Sequence, residues 1–322
     1  MAPRIIARRL VPLVLLVLTF IGTVTTLNLT LYSASGFVSS YLDALAVRDL
    51  EGALRMPGVT LAGNGTDELL APTALAQLSA IRLIRDSDAG GGQHTLQYGY
   101  DIGGIPTTST FRVEHTGPRL GVFSGWRFVQ SPQSVLEVTV RNGAGIRANG
   151  VSLPDTVPGQ VHAYRVLTPS RVKLTHTSTY LASSPAPVTV DQPSSLVSAT
   201  VNIQANAGFV RAVKKELASY LSACVTQQVL QPTACPMGKA ISDRIQSAPT
   251  WTMITYPAIR IVPGDRAGSW QIPTASGLAH IRVQVRSIFD GRLSFLDENV
   301  AFAVRYSITF TADGSPLITG QP

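Results

Sequence analysis

The first pattern along the chain is an apolar stretch, LVPLVLLVLTFIGTVTTLNLTLY, that carries no charge from residue 10 to residue 32. A helix of about 20 residues crosses a hydrocarbon core roughly 30 Å thick, so this stretch predicts a transmembrane helix. Arg4, Arg8 and Arg9 precede it. The positive-inside rule then places residues 1–9 in the cytoplasm and the chain from about Ser33 onward outside the cytoplasmic membrane.

A cleaved signal peptide is the alternative for the same residues. Ser33, Ala34 and Ser35 offer the small side chains that a cleavage site needs. The apolar core of a signal peptide is usually about 7–15 residues long, which is shorter than this stretch. We therefore favour an uncleaved anchor, and cleavage stays an open alternative.

In residues 35–130 the apolar positions first recur at helical spacing and then alternate as in strands. Helices are predicted where Phe37, Tyr41 and Leu45 recur, between Asp49 and Pro57, and from Pro72 to Ile84. Antiparallel strands are predicted around Leu96, Tyr98, Tyr100 and Ile102, around Phe111 and Val113, and at residues 125–128. Helices followed by an antiparallel hairpin series predict an α+β domain.

Short alternating strands without a helix follow in residues 131–195. Leu136, Val138 and Val140 alternate with polar residues, and turn signals such as Asn142-Gly143 and Pro158-Gly159 recur. This pattern predicts a small antiparallel β-sandwich.

Residues 196–322 repeat the plan of the first domain. One helix is predicted from the apolar stripe of Phe209, Val213, Leu217, Leu221 and Cys224, a second from Pro236 to Ile245, and the last strand from the alternation of Val300 to Phe310. A strand holding Ile281, Val283 and Val285 is its expected neighbour. The sequence therefore predicts a second α+β domain.

Composition and charge exclude several classes of protein. Hydrophobic residues make up 45% and charged residues 14% of the 322 residues, which excludes a disordered chain. The frequency of glycine and proline excludes a coiled coil. The net charge is +7, but three of these charges precede the apolar stretch. The small remaining excess predicts no nucleic-acid partner.

The segments at residues 35–130 and 196–322 resemble a known protein family. SSYLDALAVRDLEGAL after Phe37-Val38, a strand series and the closing Gly125-Trp126-Arg127-Phe128 are similar to an NTF2-like, cystatin-like α+β domain. FVRAVKKELASYLSACVTQQVLQPTACP resembles the start of a second one. Actinobacterial membrane proteins with one anchor and exported NTF2-like modules share this layout, as do extracytoplasmic components of conjugation and type IV secretion machines. The resemblance implies helices packed on a curved sheet, with a cavity between them.

Cys224 and Cys235 are the strongest local chemical signal. An oxidising compartment favours a disulfide between them, and closing so short a loop stabilises the fold by about 3 kcal/mol in the chain-entropy model. Two reduced, buried cysteines are the alternative. The spacing is not the Cys-X-X-Cys of redox sites.

Other residues give weaker signals for chemistry. The five histidines, His94, His115, His162, His176 and His280, are scattered without metal-ligand spacing, so no metal or other cofactor is predicted. In an NTF2-like cavity, acid–base work would fall to Asp101 with His115, or to Tyr98 and Tyr100. Trp126, Trp251 and Trp270 are expected to pack in the core or at its rim, with sugar stacking as the alternative.

The sequence predicts a non-catalytic, membrane-anchored binding or scaffold protein of the cell envelope. Its expected partners are the lipid bilayer, through the N-terminal helix, and a protein or a second copy of the chain. A carrier of a small molecule or lipid is the alternative, and an acid–base enzyme is a weaker one.

Overall fold

The computed structural model describes residues 3–119, 121–311 and 313–320, with side chains from residue 13 onward except at residue 119. Within these ranges the fold is α+β and mostly strand, as predicted. The helices are α1 (Pro3–Leu29), α2 (Ala34–Ala46), α3 (Leu50–Leu54) and α4 (Ala207–Val225). The strands are β1 (Leu78–Gly90), β2 (Gln93–Ile102), β3 (Ile105–Arg119), β4 (Phe123–Phe128), β5 (Gln133–Arg141), β6 (Ile146–Ala148), β7 (Val151–Leu153), β8 (Val161–Leu167), β9 (Ser170–Thr175), β10 (Leu181–Ser183), β11 (Ala186–Val190), β12 (Leu196–Ala205), β13 (Arg244–Ile245), β14 (Thr250–Thr255), β15 (Val262–Pro263), β16 (Trp270–Arg286), β17 (Leu293–Phe310) and β18 (Pro316–Gly320).

The N-terminal unit consists of α2, α3 and the antiparallel sheet β1-β2-β3-β4. Ser33 begins α2 by accepting a hydrogen bond from the Gly36 N–H, which satisfies one of the unpaired donors of the first turn. The apolar stripe of α2 is buried against alternate residues of β2 and β3. The helical and strand spacings read from the sequence therefore face each other across one core.

The predicted helix from Pro72 to Ile84 is wrong, because the chain enters β1 at Leu78. The glycines at 90–92 all have positive φ angles, of 79°, 63° and 78°, which other residues rarely adopt. They close a tight turn between β1 and β2. The residues before the turn therefore pair with β2, and this long-range pairing overrides the local helical spacing.

Two four-stranded sheets, in the orders β10-β12-β5-β8 and β11-β9-β6-β7, form the middle of the chain. Their inward-facing residues share one hydrophobic cluster, as in a sandwich. Two details differ from the prediction. The first sheet continues past residue 195 through β12, and β12 runs parallel to β5, so the sandwich is not wholly antiparallel.

The C-terminal unit consists of α4 and the sheet in which β16 pairs with β17 along one edge and with β13, β14 and β15 along the other. Phe302, Val304 and Ile308 are buried, so the predicted alternation of the last long strand is confirmed. Ile281 and Val283 of β16 share the core with α4. β18 pairs with β17 only from Tyr306 to Phe310.

The predicted helix from Pro236 to Ile245 is also wrong. The segment is irregular until Arg244 and Ile245 join the sheet as β13. Met237 is buried beneath it, and the Lys239 N–H donates to the Leu230 carbonyl, 2.9 Å away. Anchoring to the core and to the preceding loop replaces the hydrogen bonds that a helix would have made.

Residues 3–29 form α1, which is followed by a bend into α2. Among the described residues, no single helix has the length and hydropathy of a membrane span. Leu13–Leu29 and α2 meet both criteria only as a pair, and the pair is bent by 64°. Arg4, Arg8 and Arg9, on which the predicted orientation depends, have side chains outside the described set.

Candidate binding surfaces

Asp101 and His115, the acid–base pair suggested by the family resemblance, lie far apart. Asp101 pairs with Pro106 at one end of the β2–β3 hairpin, whereas His115 pairs with Trp126 near the other end. His115 lies nine positions beyond Pro106 along β3, which is about 30 Å of extended chain. These two side chains do not form one site.

Tyr98 and Tyr100 have structural contacts. The Tyr98 hydroxyl donates to the Ser35 carbonyl, 2.7 Å away, and the Tyr100 hydroxyl lies 2.5 Å from the Ser109 hydroxyl. Burial is the main cause that raises the pKa of each phenol to about 12. Both are therefore neutral near pH 7, and their hydroxyls help to hold the core.

Four of the five histidines make separate local contacts. His94 Nδ1 lies 2.7 Å from Asp86, His176 Nδ1 lies 2.6 Å from the Gly145 carbonyl, and the Val157 N–H donates to His162 Nε2. His280 lies between Asp297 and Asn299. Within the ranges described, no three or more histidine, cysteine or acidic side chains are placed to hold a metal ion.

The tryptophans differ in exposure. Trp251 and Trp270 are buried, so neither ring is available to a sugar. Trp126 is partly exposed, and the rings of His94 and His115 lie edge-on to it at 5.2 and 5.3 Å.

Cys224 and Cys235 form the predicted disulfide, with Cα atoms 5.8 Å apart. The bond joins the last turn of α4 to the loop that follows it. The adjacent Ala234 has a φ of 57°, and its carbonyl accepts a hydrogen bond from the Tyr220 hydroxyl. The disulfide thus fixes the loop against the helix surface.

A cavity of about 370 Å³ lies beside this disulfide, between α4 and the C-terminal sheet. Its lining residues are Val213, Glu216, Leu217, Tyr220, Ala234, Ile272, Tyr306, Ile318 and Gly320. Val213, Leu217 and Ile272 make the buried part apolar. Volume and lining are those of a small-ligand pocket.

Three polar side chains, Glu216, Tyr220 and Tyr306, converge on the cavity. Burial, followed by the neighbouring Tyr220, raises the pKa of Tyr306 to about 12, so its phenol is a neutral donor at pH 7. Sequence reasoning did not single out these residues. Glu216 and Tyr220 are one helical turn apart on α4, but only the folded sheet brings Tyr306 opposite them.

The second candidate surface is the outer edge of β17. Its other edge pairs with β16 without a register shift from Leu293 to Val304. In the part of the chain that the structure describes, no strand pairs with the outer edge before Tyr306. The backbone N–H and C=O groups along this edge are therefore available to a further strand.

Apolar and basic side chains accompany this free edge. Ile288, Phe289, Leu293 and Phe295 are exposed, and Phe289 at the hairpin end is 92% exposed. The Arg282 guanidinium lies 4.9 Å from the centre of the Phe295 ring. Arg286 pairs with Leu293 across the ladder and with Arg244 on its other side, so positive charge lies beside apolar surface.

Two other sheet edges are covered or irregular. Thr66 bridges to Tyr164 of β8, where its N–H donates to the Ala163 carbonyl and its own carbonyl accepts from the Arg165 N–H. β1 has register shifts at three places and carries four charged side chains between residues 82 and 88. Bulges and charges are devices that keep an edge strand from pairing. The β17 edge also carries Asp297, Glu298 and Arg305, but its pairing with β16 has no register shift from Leu293 to Val304.

No protein-family model, curated protein or solved structure matches the chain. The class of the protein therefore comes from its own structure. Among the described residues it is an α+β chain with an apolar N-terminal helix, a central β-sandwich, a disulfide-linked C-terminal unit, a lined cavity under α4 and a β17 edge that is unpaired from Leu293 to Arg305.

Proposed function

We propose that this chain is a membrane-anchored, extracytoplasmic binding protein that holds a protein partner at the outer edge of β17. The observation that carries the proposal is the regular, unpaired edge from Leu293 to Arg305. Natural sheets usually cover or disrupt an edge of this kind. A segment added to it gains main-chain hydrogen bonds, and the alternating side chains select its sequence.

The side chains beside the edge define the partner's chemistry. Leu293 and Phe295 favour an apolar residue opposite them, and Arg305 favours an acidic one. Asp297 and Glu298 of the same strand face Arg282 and Lys239. We therefore expect an extended segment that alternates apolar and acidic side chains, from another protein or from a second copy of this chain. No catalytic step is part of the proposal.

The proposed anchor is the helix α1. Its apolar side chains from Leu13 to Ile21 are mostly exposed, and such a surface needs lipid or protein to cover it. The disulfide supports an oxidising, extracytoplasmic location for the C-terminal unit. With Arg4, Arg8 and Arg9 on the cytoplasmic side, residues 33–322 lie outside.

Membrane fractionation tests the anchor. The full chain should stay with membranes after an alkaline carbonate wash, and protease added to right-side-out vesicles should digest everything after α1. Release of the intact chain by the wash would contradict anchoring. Protection from the protease would contradict the orientation.

Site-specific photocrosslinking tests the binding edge. A photoreactive residue at Ala301, exposed on β17, should capture one defined protein species in intact cells. The same residue at the exposed position Thr108 of β3 is the matched control. Failure at Ala301, or equal capture at both positions, would contradict the proposed edge.

The NTF2-like assignment belongs to the proposal as well. It is supported by the packing of α2 on the first sheet and of α4 on the last one. In this interpretation the cavity under α4 is the family's cavity between helix and sheet.

Small-molecule binding is a second candidate function, favoured by that cavity. An apolar interior with three converging polar groups suits a ligand with a hydrocarbon or aromatic body and one hydrogen-bonding head. A volume of about 370 Å³ limits the ligand to a small molecule.

A neutral fluorescent probe, N-phenylnaphthylamine, tests this candidate. It should bind the full chain at one site, and Ile318→Trp should abolish binding because the half-buried Ile318 lines the cavity. Leu317→Trp is the matched control, since the neighbouring Leu317 is exposed and outside the lining. Equal binding by both variants would exclude the cavity as the probe site.

A further inference from the structure

The bend between α1 and α2, residues 28–36, is fixed to the N-terminal unit by several contacts. We call it the joint. Asn28 Nδ2 donates to the Val122 carbonyl, 2.9 Å away, and Asn28 Oδ1 accepts from the Ser124 N–H at 2.8 Å. The side chain of Asn28 thus pairs with the β4 edge as a strand would.

Aromatic contacts complete the attachment. The Tyr32 ring stacks on Phe123 with centroids 4.3 Å apart, and the Tyr32 carbonyl accepts from Trp126 Nε1 at 2.8 Å. The Ser35 carbonyl accepts from the Tyr98 hydroxyl. Five side chains therefore hold both ends of the joint to the sheet.

Gly36 makes the close approach at the bend possible. A Cβ atom at this position would lie 2.2 Å from the Thr30 carbonyl oxygen and 2.5 Å from that of Leu31. Such contacts are far inside van der Waals distance. The bend is a tightly packed element rather than a flexible tether.

The joint lies where an anchor beginning at residue 10 would leave the hydrocarbon. Twenty helical residues rise about 30 Å, roughly the thickness of the core, which brings Asn28 and Leu29 to its outer boundary. Leu29, Leu31 and Val122 are exposed apolar side chains at this level. Tyrosine and tryptophan rings favour the region between hydrocarbon and water.

We propose that the joint seats the N-terminal unit on the outer surface of the bilayer in one orientation, with Trp126, Tyr32 and Val122 in the headgroup layer. The partner of this surface is lipid. The inference rests on the proposed anchoring by α1, and it adds that the rest of the chain is presented at a fixed angle to the membrane.

Quenching of tryptophan fluorescence in lipid vesicles tests this contact between the N-terminal unit and the bilayer. The full-length variant Trp251→Phe/Trp270→Phe leaves Trp126 as the single tryptophan. Brominated lipids should quench it, and bromines near the ester end of the acyl chain should quench more than bromines near the methyl end. Trp126→Phe, which keeps the two buried tryptophans, is the control and should show little quenching.

Positioning by the joint is tested with Asn28→Ala in the single-tryptophan background. The variant should lose most of the quenching, because α1 is released from the β4 edge. Thr23→Ala is the matched control, since the Thr23 hydroxyl bonds only to Thr19 of its own helix.

The two proposals fail in different ways. If Trp126 is unquenched in a protein that resists the carbonate wash, the proposed contact of the N-terminal unit with the bilayer is wrong, and the proposed anchor is unaffected. Loss of the protein from the vesicles would overturn both. Full quenching in Asn28→Ala would overturn the role of the joint.

Discussion

At the residue scale, buried tyrosine hydroxyls connect separate parts of the fold. Tyr41 of α2 is fully buried, and its hydroxyl lies 2.8 Å from the Thr168 carbonyl and 3.2 Å from that of Pro132. Both carbonyls belong to the sandwich, since Pro132 directly precedes β5 and Thr168 directly follows β8. Burial raises the pKa of Tyr41 well above its usual value, so the hydroxyl stays a donor.

Tyr41→Phe should destabilise the protein by about 1–3 kcal/mol, because it leaves the buried Thr168 carbonyl without its phenolic donor, whereas the Pro132 carbonyl keeps the Thr168 N–H. The free energy of unfolding in urea measures this. Tyr256→Phe is the control, since Tyr256 is exposed and the change should stay within about 0.5 kcal/mol. Equal small effects would mean that the Tyr41 hydroxyl does not join the two units.

Alkaline pH should unfold the protein through these phenols. The pKa values of Tyr98, Tyr100 and Tyr306 are about 12 in the folded chain, against an ordinary value of 10.0. The unfolded chain therefore loses its phenolic protons first, and the free energy of unfolding falls as pH rises from about 10 to about 12.

Urea unfolding across that pH range checks the alkaline prediction. The variant Tyr98→Phe/Tyr100→Phe/Tyr306→Phe should show a shallower decline than the native chain. A native chain whose stability is flat from about pH 10 to about 12 would show that burial does not hold these phenols neutral.

At the element scale, the sequence predicts elements whose signal is local. α2, α3, α4 and the alternating strands carry their own periodicity and caps, as at Ser33 and Asp49. β1 and the irregular segment before β13 do not. β1 forms because the glycine turn at residues 90–92 places it beside β2. The segment before β13 is held by the buried Met237 and by the bond from the Lys239 N–H to the Leu230 carbonyl. Helical spacing in the sequence is therefore misleading for both.

The disulfide should stabilise the C-terminal unit. Cys224→Ala/Cys235→Ala should cost about 2–4 kcal/mol by the chain-entropy estimate, because the unfolded loop gains freedom. It should also weaken probe binding in the α4 cavity, since the Ala234 wall is released. Unfolding in urea, with the native chain under reducing conditions as control, checks the first effect. Unchanged stability would contradict it.

At the scale of the whole molecule, both candidate surfaces depend on sheet order. Leu293 and Phe295 read as ordinary strand residues in the sequence, and only the short length of β18 leaves the β17 edge unpaired. The cavity likewise needs α4 and β17 to meet. Sequence alone predicts the disulfide, which is confirmed, and the anchor and the order of the three parts, which stay predictions; it does not predict which edge or face is left open.

Native mass spectrometry of the full-length protein, extracted gently from its own membrane, tests the central claim most directly. The account predicts a bound protein or a second protomer, lost in Ala301→Lys/Ala303→Lys because lysines on an edge strand oppose pairing. Thr108→Lys, on the exposed face of β3, should keep the bound mass. A bare native monomer, or a bound mass that survives the β17 lysines, would contradict partner binding at this edge.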